Sequence, residues 1–223
     1  MKLKRPLVLA SSSPRRQYLM KEAGFEFAVE KPDVEEIFPD QLPVDQVARY
    51  LASIKAEYFR PNMKDQIIVT ADTVVILDGQ ILNKPTDRND AIQMLLSLAG
   101  RTHTVMTGVS IVSLQKEENF DDSTEVTFAR LSRKDVEYYV DHFKPYDKAG
   151  AYGAQDGLPD GMNPCSTEEM VFLREIGKED LIEQTMTNTG LDNEMVVIKK
   201  ISGSYFNVMG LPIHKVYQSL INW

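Results

Sequence analysis

Leu7-Val-Leu-Ala-Ser-Ser-Ser-Pro-Arg-Arg, ending at Arg16, is the stretch from which the rest of the chain is read. Leu7 to Ala10 is a short apolar run of strand length. Three hydroxyls follow, and Ser13 stands at an N-cap position with Pro14 at N1, so a helix opens at once and Gly24 closes it. A strand that feeds a helix through a polar turn also makes a place for an anion, because unpaired backbone N–H groups and the helix dipole point there. The Ser11 hydroxyl and the Arg15 and Arg16 guanidinium groups add donors matched to phosphate oxygens. Two arginines in a first helical turn oppose the dipole unless an anion joins them. A well-capped helix with solvated arginines would carry the same letters, and the stretch alone leaves both readings open.

Outward from this unit the periodicity alternates. Val44, Val47, Leu51, Ile54 and Tyr58 recur at helical spacing and predict an amphipathic helix. Gln66 to Leu77 is rich in Ile and Val and predicts a strand, with Asp78-Gly79 as a hairpin turn. Asp87 caps a helix through Ala91, Met94, Leu95 and Leu98 that Gly100 ends. His103–Leu114 and Ser123–Leu131 predict two paired strands. Ser132 with Asp135 forms a capping-box start, with Val136, Tyr139, Val140 and Phe143 on the core face. Met195 to Ile201 returns to strand, and a last helix follows Gly210-Leu211-Pro212. Strands and helices mix without strict alternation, so the expected class is α/β or α+β with a mixed sheet.

Composition narrows the function. The 223 residues carry 33 acids against 25 bases, a net charge of -8 that argues against a general nucleic-acid binder. The acidity is local: Asp156 to Glu194 holds ten acids against two bases, Arg174 and Lys178, which leaves 23 of each elsewhere. Lys and Arg outside that segment are therefore available to an anionic ligand. Cys165 stands alone, so an intramolecular disulfide is impossible. The apolar run after Pro6 is too short for a signal peptide, and no run approaches the ~20 apolar residues that span a bilayer. A cytoplasmic protein without a membrane partner is expected.

Further chemistry is spread along the chain. Asp72 interrupts the apolar run of Val69-Thr-Ala-Asp-Thr-Val-Val, and a carboxylate there serves as a general base, as a metal ligand, or as a strand-end turn former. Lys84, in Asn83-Lys-Pro, lies a hairpin away and is placed to meet phosphate. In Tyr146-Asp-Lys-Ala-Gly-Ala-Tyr-Gly-Ala-Gln, two glycines permit close backbone approach, and Gln155 offers the donor–acceptor pair that reads a base edge. A plain Gly-rich connection would look similar. Glu35 and Glu36 can offer metal oxygens or form a solvated acidic loop, and Lys55 beside the apolar stripe reads as a snorkelling lysine. His103 and His214 lack partners at zinc spacing, and Cys165 lacks the setting of a nucleophile.

Six ordered blocks together resemble the Maf (septum formation) family. They are Leu7 to Arg16, Ala71-Asp-Thr-Val-Val, Ile81-Leu-Asn-Lys-Pro, Gly100-Arg-Thr-His-Thr-Val-Met-Thr-Gly-Val, Asp147-Lys-Ala-Gly-Ala-Tyr-Gly-Ala-Gln and Gly203-Ser-Tyr-Phe-Asn-Val-Met-Gly-Leu-Pro. The resemblance implies a single Maf-like domain over residues 1–223, with a mixed twisted sheet in two lobes around a central nucleotide cleft, akin to the inosine triphosphate pyrophosphatases. It implies cleavage of a nucleoside triphosphate to monophosphate and pyrophosphate with a divalent cation, Mg or Mn, and a homodimer. By motif position Asp72 is the catalytic base, and Ser11, Arg15, Arg16, Lys55 and Lys84 hold phosphate. Glu35 or Glu36, with Asp72, would bind the metal. Arg15, Thr73 and Gln155 match the branch that prefers dTTP and UTP. The 7-methyl-GTP branch carries Trp and Glu at the first and last of those positions. Asn83 replaces the usual Gly before Lys-Pro, a change expected to act on the hairpin turn. The acidic segment at about 156–194 stands where relatives have a short connection, and is expected as a lid, an interface element or a solvated excursion.

Overall fold

The computed structural model describes residues 3–159, 161–182 and 195–223. In chain order the strands are β1 (Leu7–Leu9), β2 (Ala28–Val29), β3 (Ile67–Leu77), β4 (Gln80–Leu82), β5 (Thr102–Val112), β6 (Glu117–Phe128) and β7 (Ile198–Ser202). The helices are α1 (Pro14–Glu22), α2 (Val44–Glu57), α3 (Arg88–Leu98), α4 (Arg133–Phe143), α5 (Thr167–Glu175), α6 (Tyr205–Met209) and α7 (Ile213–Ile221). Among the described residues the strands form one sheet in the order β2-β1-β3-β5-β6-β7, with β4 paired to β3. β1 runs parallel to β2 and β3, while β4 on β3 and β7 on β6 are antiparallel. The mixed sheet and α/β class read from the sequence are what the chain adopts.

The chain divides into two compact units, one of residues 1–73, 106–122 and 206–223, the other of 74–105 and 123–205. In the first, Leu7↔Ile67 to Leu9↔Val69 sets the register of β1 on β3. β3 is buried along most of its length, so an apolar run interrupted only by Thr70, Asp72 and Thr73 is what such a strand requires. In the second, Asp78 and Gly79 both take positive φ, the two-residue hairpin turn that joins β3 to β4. Asn83 lies beyond β4 and not in that turn. Its carbonyl accepts from the Gly150 N–H at 3.2 Å, so exchanging Gly for Asn leaves the turn untouched.

A strand start and a helix face differ most from the sequence reading. β6 begins at Glu117, six residues before the apolar run, because the Ser113–Lys116 turn carries pairing directly into the polar stretch Glu-Glu-Asn-Phe-Asp-Asp. Ile54 of α2, and Tyr58 just past its end, are not in the buried stripe. Ala48, Ala52, Lys55 and Ala56 are, beside Val47 and Leu51. The cause is Gly108 in β5: a Cβ there would lie 2.3 Å from the Arg49 nitrogen and 2.4 Å from the Ala48 carbonyl. Helix and strand approach backbone to backbone, which only an Ala stripe at i, i+4, i+8 permits, and the helix is rotated accordingly.

The Ser132–Asp135 capping box is present, with the Asp135 N–H on Ser132 Oγ at 3.3 Å and the Ser132 N–H on Asp135 Oδ2 at 2.7 Å. α1 opens at Pro14 as expected, but Ser13 makes no side-chain cap bond. The acidic segment is packed where it is described. A second capping box, Ser166 with Glu169, starts α5, and Phe172, Leu173, Leu181 and Ile182 are buried. Glu169 is fully buried, accepting from Ser204 Oγ at 2.5 Å and from the Tyr205 N–H at 3.0 Å. The sequence reads as helix from Glu168 to Thr185; α5 ends at Glu175, and residues 183–185 lie outside the described residues. Among the described residues no helix is long and apolar enough to cross a membrane.

Candidate functional site

Rotating α2 onto its Ala stripe has a chemical consequence. Lys55 cannot snorkel; it is 6% exposed, and its ammonium meets Asp72 Oδ1 on β3 and Glu36 Oε1 at 2.7 Å. Asp72 is not at a strand end, as its neighbours in sequence suggest, but in the middle of β3 and 8% exposed. A mid-strand carboxylate at that depth needs a cation, and Lys55 supplies it. Oδ2 of Asp72 has no protein partner among the described residues, which leaves one oxygen free to take a proton. Of the two glutamates in the loop before α2, both exposed, Glu36 is the one that comes to Lys55.

Arg16 builds the second half of this arrangement. Its Nε donates to the Gly210 carbonyl at 2.7 Å, and Nη1 divides between the Ala71 carbonyl at 2.8 Å and Ser11 Oγ at 3.4 Å. Nη2 donates to Thr73 Oγ1 at 3.0 Å. One guanidinium thus holds the residues on both sides of Asp72, the post-β1 turn and the loop after α6. Enclosing that head lowers its pKa, with Arg15 adding to the effect and Asp72 and Glu36 opposing it. Most donors of Arg16 are spent on the protein, so its first task is to frame Asp72; one Nη2 hydrogen remains for an anion. Arg15, half-buried, donates to the Met209 carbonyl at 3.2 Å. The buried Ser11 hydroxyl also accepts the Ser13 N–H at 3.2 Å, which turns the chain into α1.

The Thr73 hydroxyl is a link in a chain of donors. Thr107 Oγ1 gives its hydrogen to the Asn207 carbonyl at 3.0 Å, so in its 2.9 Å contact with Thr73 it accepts. Thr73 therefore donates to Thr107 and accepts from Arg16. Thr107, Asn207 and Gly210 carry no catalytic chemistry of their own, and a search for reactive residue types passes over them. Their only trace in the sequence is membership of the Gly100–Val109 and Gly203–Pro212 blocks.

In the other unit, Lys84 is exposed and has no partner among the described residues, while Gln155 is half-buried. Gly150, with φ +69°, packs against Val75, where a Cβ would sit 3.1 Å from the Val75 methyls. His103 Nε2 pairs with Tyr152 Oη at 2.7 Å, and both rings stand edge-on to Phe128. Burial lowers the His103 pKa to about 4 and raises that of Tyr152, so both are neutral at pH 7. Burial also raises the Cys165 pKa, which keeps it a thiol.

A divalent cation is tested by its donor set. Among the described residues no group of three or more His, Cys, Asp or Glu is gathered. Asp72 and Glu36 converge on one ammonium, and two carboxylates suit a magnesium-type ion that draws its remaining oxygens from water and phosphate. They do not suit a closed protein cage or a zinc site.

The family profile described as "Maf-like protein" matches residues 6–160. The chain belongs to the Maf family. A relative from Phocaeicola vulgatus, named dTTP/UTP pyrophosphatase, is 38% identical over 216 residues, 96% of this chain and 94% of that one. Relatives of the same name from Porphyromonas gingivalis and Flavobacterium psychrophilum are 38% and 36% identical, covering 96% and 97% of this chain and 92% and 93% of theirs. A solved HAM1 protein structure from Coxiella burnetii overlays 82% of this chain and 97% of its own, at 14% identity and a TM-score of 0.41.

Proposed function

We propose that this Maf protein is an enzyme that hydrolyses dTTP and UTP to the monophosphate and pyrophosphate, working in the cytoplasm as a homodimer. The observation that carries the reading is the mid-strand Asp72, held on Oδ1 by buried Lys55 and open at Oδ2. The name shared by the full-length relatives supplies the reaction and the substrate class. Asp72 Oδ2 takes a proton from the water that attacks the α-phosphorus. The new bond is water oxygen to Pα; the bond that breaks joins Pα to the bridging oxygen, and pyrophosphate departs with that oxygen. Lys55 fixes the plane of the carboxylate, and Arg16 holds Ala71 and Thr73 on either side of it. Ser11, Arg15 and the remaining Arg16 donor meet phosphate oxygens, where positioning and electrostatics supply most of the rate. Lys84 takes phosphate and Gln155 reads the base edge, parts that rest on the family pattern, as does the place of Arg15 and Thr73 in substrate choice. A magnesium or manganese ion on Asp72 and Glu36 would neutralise charge on the phosphates. With UTP in ¹⁸O-water, ³¹P NMR should find the label in UMP and none in pyrophosphate. UDP and orthophosphate, or label in the pyrophosphate, would refute attack at the α-phosphorus.

A further inference from the structure

Gly153, Ala154, Gln155 and Asp156 form a tight turn, closed by the Asp156 N–H on the Gly153 carbonyl at 3.1 Å, with Gln155 third of the four. Tyr139, on α4, is 1% exposed and reaches both ends of it. Its Oη accepts the Gly153 N–H at 3.1 Å and donates to Asp156 Oδ2 at 3.1 Å. A buried hydroxyl with one acceptor and one donor contact is satisfied only while both turn ends stay where they are. We propose that Tyr139, acting with Asp156, is a positioning residue that fixes the Gln155 side chain and so sets the discrimination between nucleotide bases. The inference rests on the reading of Gln155 as the base reader.

Three observations make the clip more than packing. A Cβ on Gly153 would fall 2.3 Å from Asp156 Oδ2, so the turn is folded onto its own carboxylate. Its flanks are already pinned: Tyr152 to His103 on one side, and the Gly157 carbonyl to the Val197 and Ile198 amides at 2.8 and 3.0 Å on the other. The turn between those pins is held by the Tyr139 hydroxyl. Burial and the neighbouring Asp156 carboxylate raise the Tyr139 pKa well above its ordinary value, so the hydroxyl remains a donor at any working pH. Among the described residues no charge other than Asp156 acts on the Tyr139 hydroxyl, and the phenol itself need not touch the substrate.

A double-mutant cycle on the full chain tests this, with kcat and KM for UTP and GTP measured for Tyr139→Phe, Gln155→Ala and the pair. Tyr139→Phe should lower the UTP-to-GTP ratio of kcat/KM about fivefold, through KM for UTP more than through kcat. The pair should fall no further than Gln155→Ala, because a missing reader cannot be misplaced. Asp156→Asn, which keeps an acceptor, should restore most of the ratio that Asp156→Ala loses; this second pair carries the test should Tyr139→Phe fail to fold. Equal losses on both nucleotides, adding to those of Gln155→Ala, would reduce Tyr139 to a structural residue and overturn the proposal. An intact ratio in Gln155→Ala would sink the base-reader assignment and the positioning role with it. A ratio collapsed by Gln155→Ala but untouched by Tyr139→Phe and Asp156→Ala would sink the positioning role alone.

Discussion

The residues around Asp72 and those around Gln155 are held by different physics. Asp72 sits among charges: Lys55 and Glu36 in ion pairs, and Arg16 spread over Ser11, Ala71, Thr73 and Gly210. Gln155 sits on a turn held by a phenol, backbone amides and a neutral His103–Tyr152 pair, with Asp156 as the single charge among the described residues. Ionic framing suits a site that must meet a polyanion and move a proton. Neutral framing suits one that must tell one uncharged base from another. The first is disrupted by removing a partner from a buried charge, the second by adding a charge where none belongs.

The largest effect should come from the reacting atom. Asp72→Asn keeps the shape of the side chain and leaves Lys55 its Glu36 partner, and kcat should fall about a thousandfold. Near-normal pyrophosphate release by the folded variant would remove Asp72 as the base. Next comes the ion pair: Lys55→Met leaves Asp72 buried without its cation and should cost about 3–5 kcal/mol in urea denaturation. Adding Asp72→Asn to it should recover most of that, and failure to recover would mean that the pair is not the source. The neutral side responds to acid. His103 has a pKa of about 4 folded against an ordinary 6.5, so between those values the unfolded chain binds the proton and the folded one does not. Stability should therefore fall as pH drops from 6.5 toward 4, by up to about 3 kcal/mol. His103→Gln should flatten that slope, and an unchanged slope would assign the acid loss elsewhere. The smallest effect is a control outside both networks: Ser132→Ala removes a cap and should cost about 1 kcal/mol with kcat/KM intact.

The same contrast explains what the sequence reveals. Arg15 and Arg16 at a helix start, and Asp72 inside an apolar strand, are chemically out of place, and such misfits are readable from one chain. The hairpin at Asp78-Gly79 and the capping box at Ser132 are readable because each needs particular residue types. Burial of Lys55 is harder, since it follows from Ala48, Ala52, Ala56 and a glycine in another strand; the large apolar residues point to a different helix face. Thr107, Asn207 and Tyr139 act through hydroxyls and carbonyls that any fold contains, and only their partners mark them. Glu36 is separated from Glu35 by contact with Lys55, which no spacing rule provides.

The most direct test of the account is pyrophosphate release across dTTP, UTP, CTP, GTP, ITP and 7-methyl-GTP, with and without magnesium or manganese. The account predicts metal-dependent cleavage that favours dTTP and UTP. Binding without turnover on any of the six would contradict it, and preference for a purine would keep the Asp72 chemistry while discarding Gln155 as the reader of a pyrimidine.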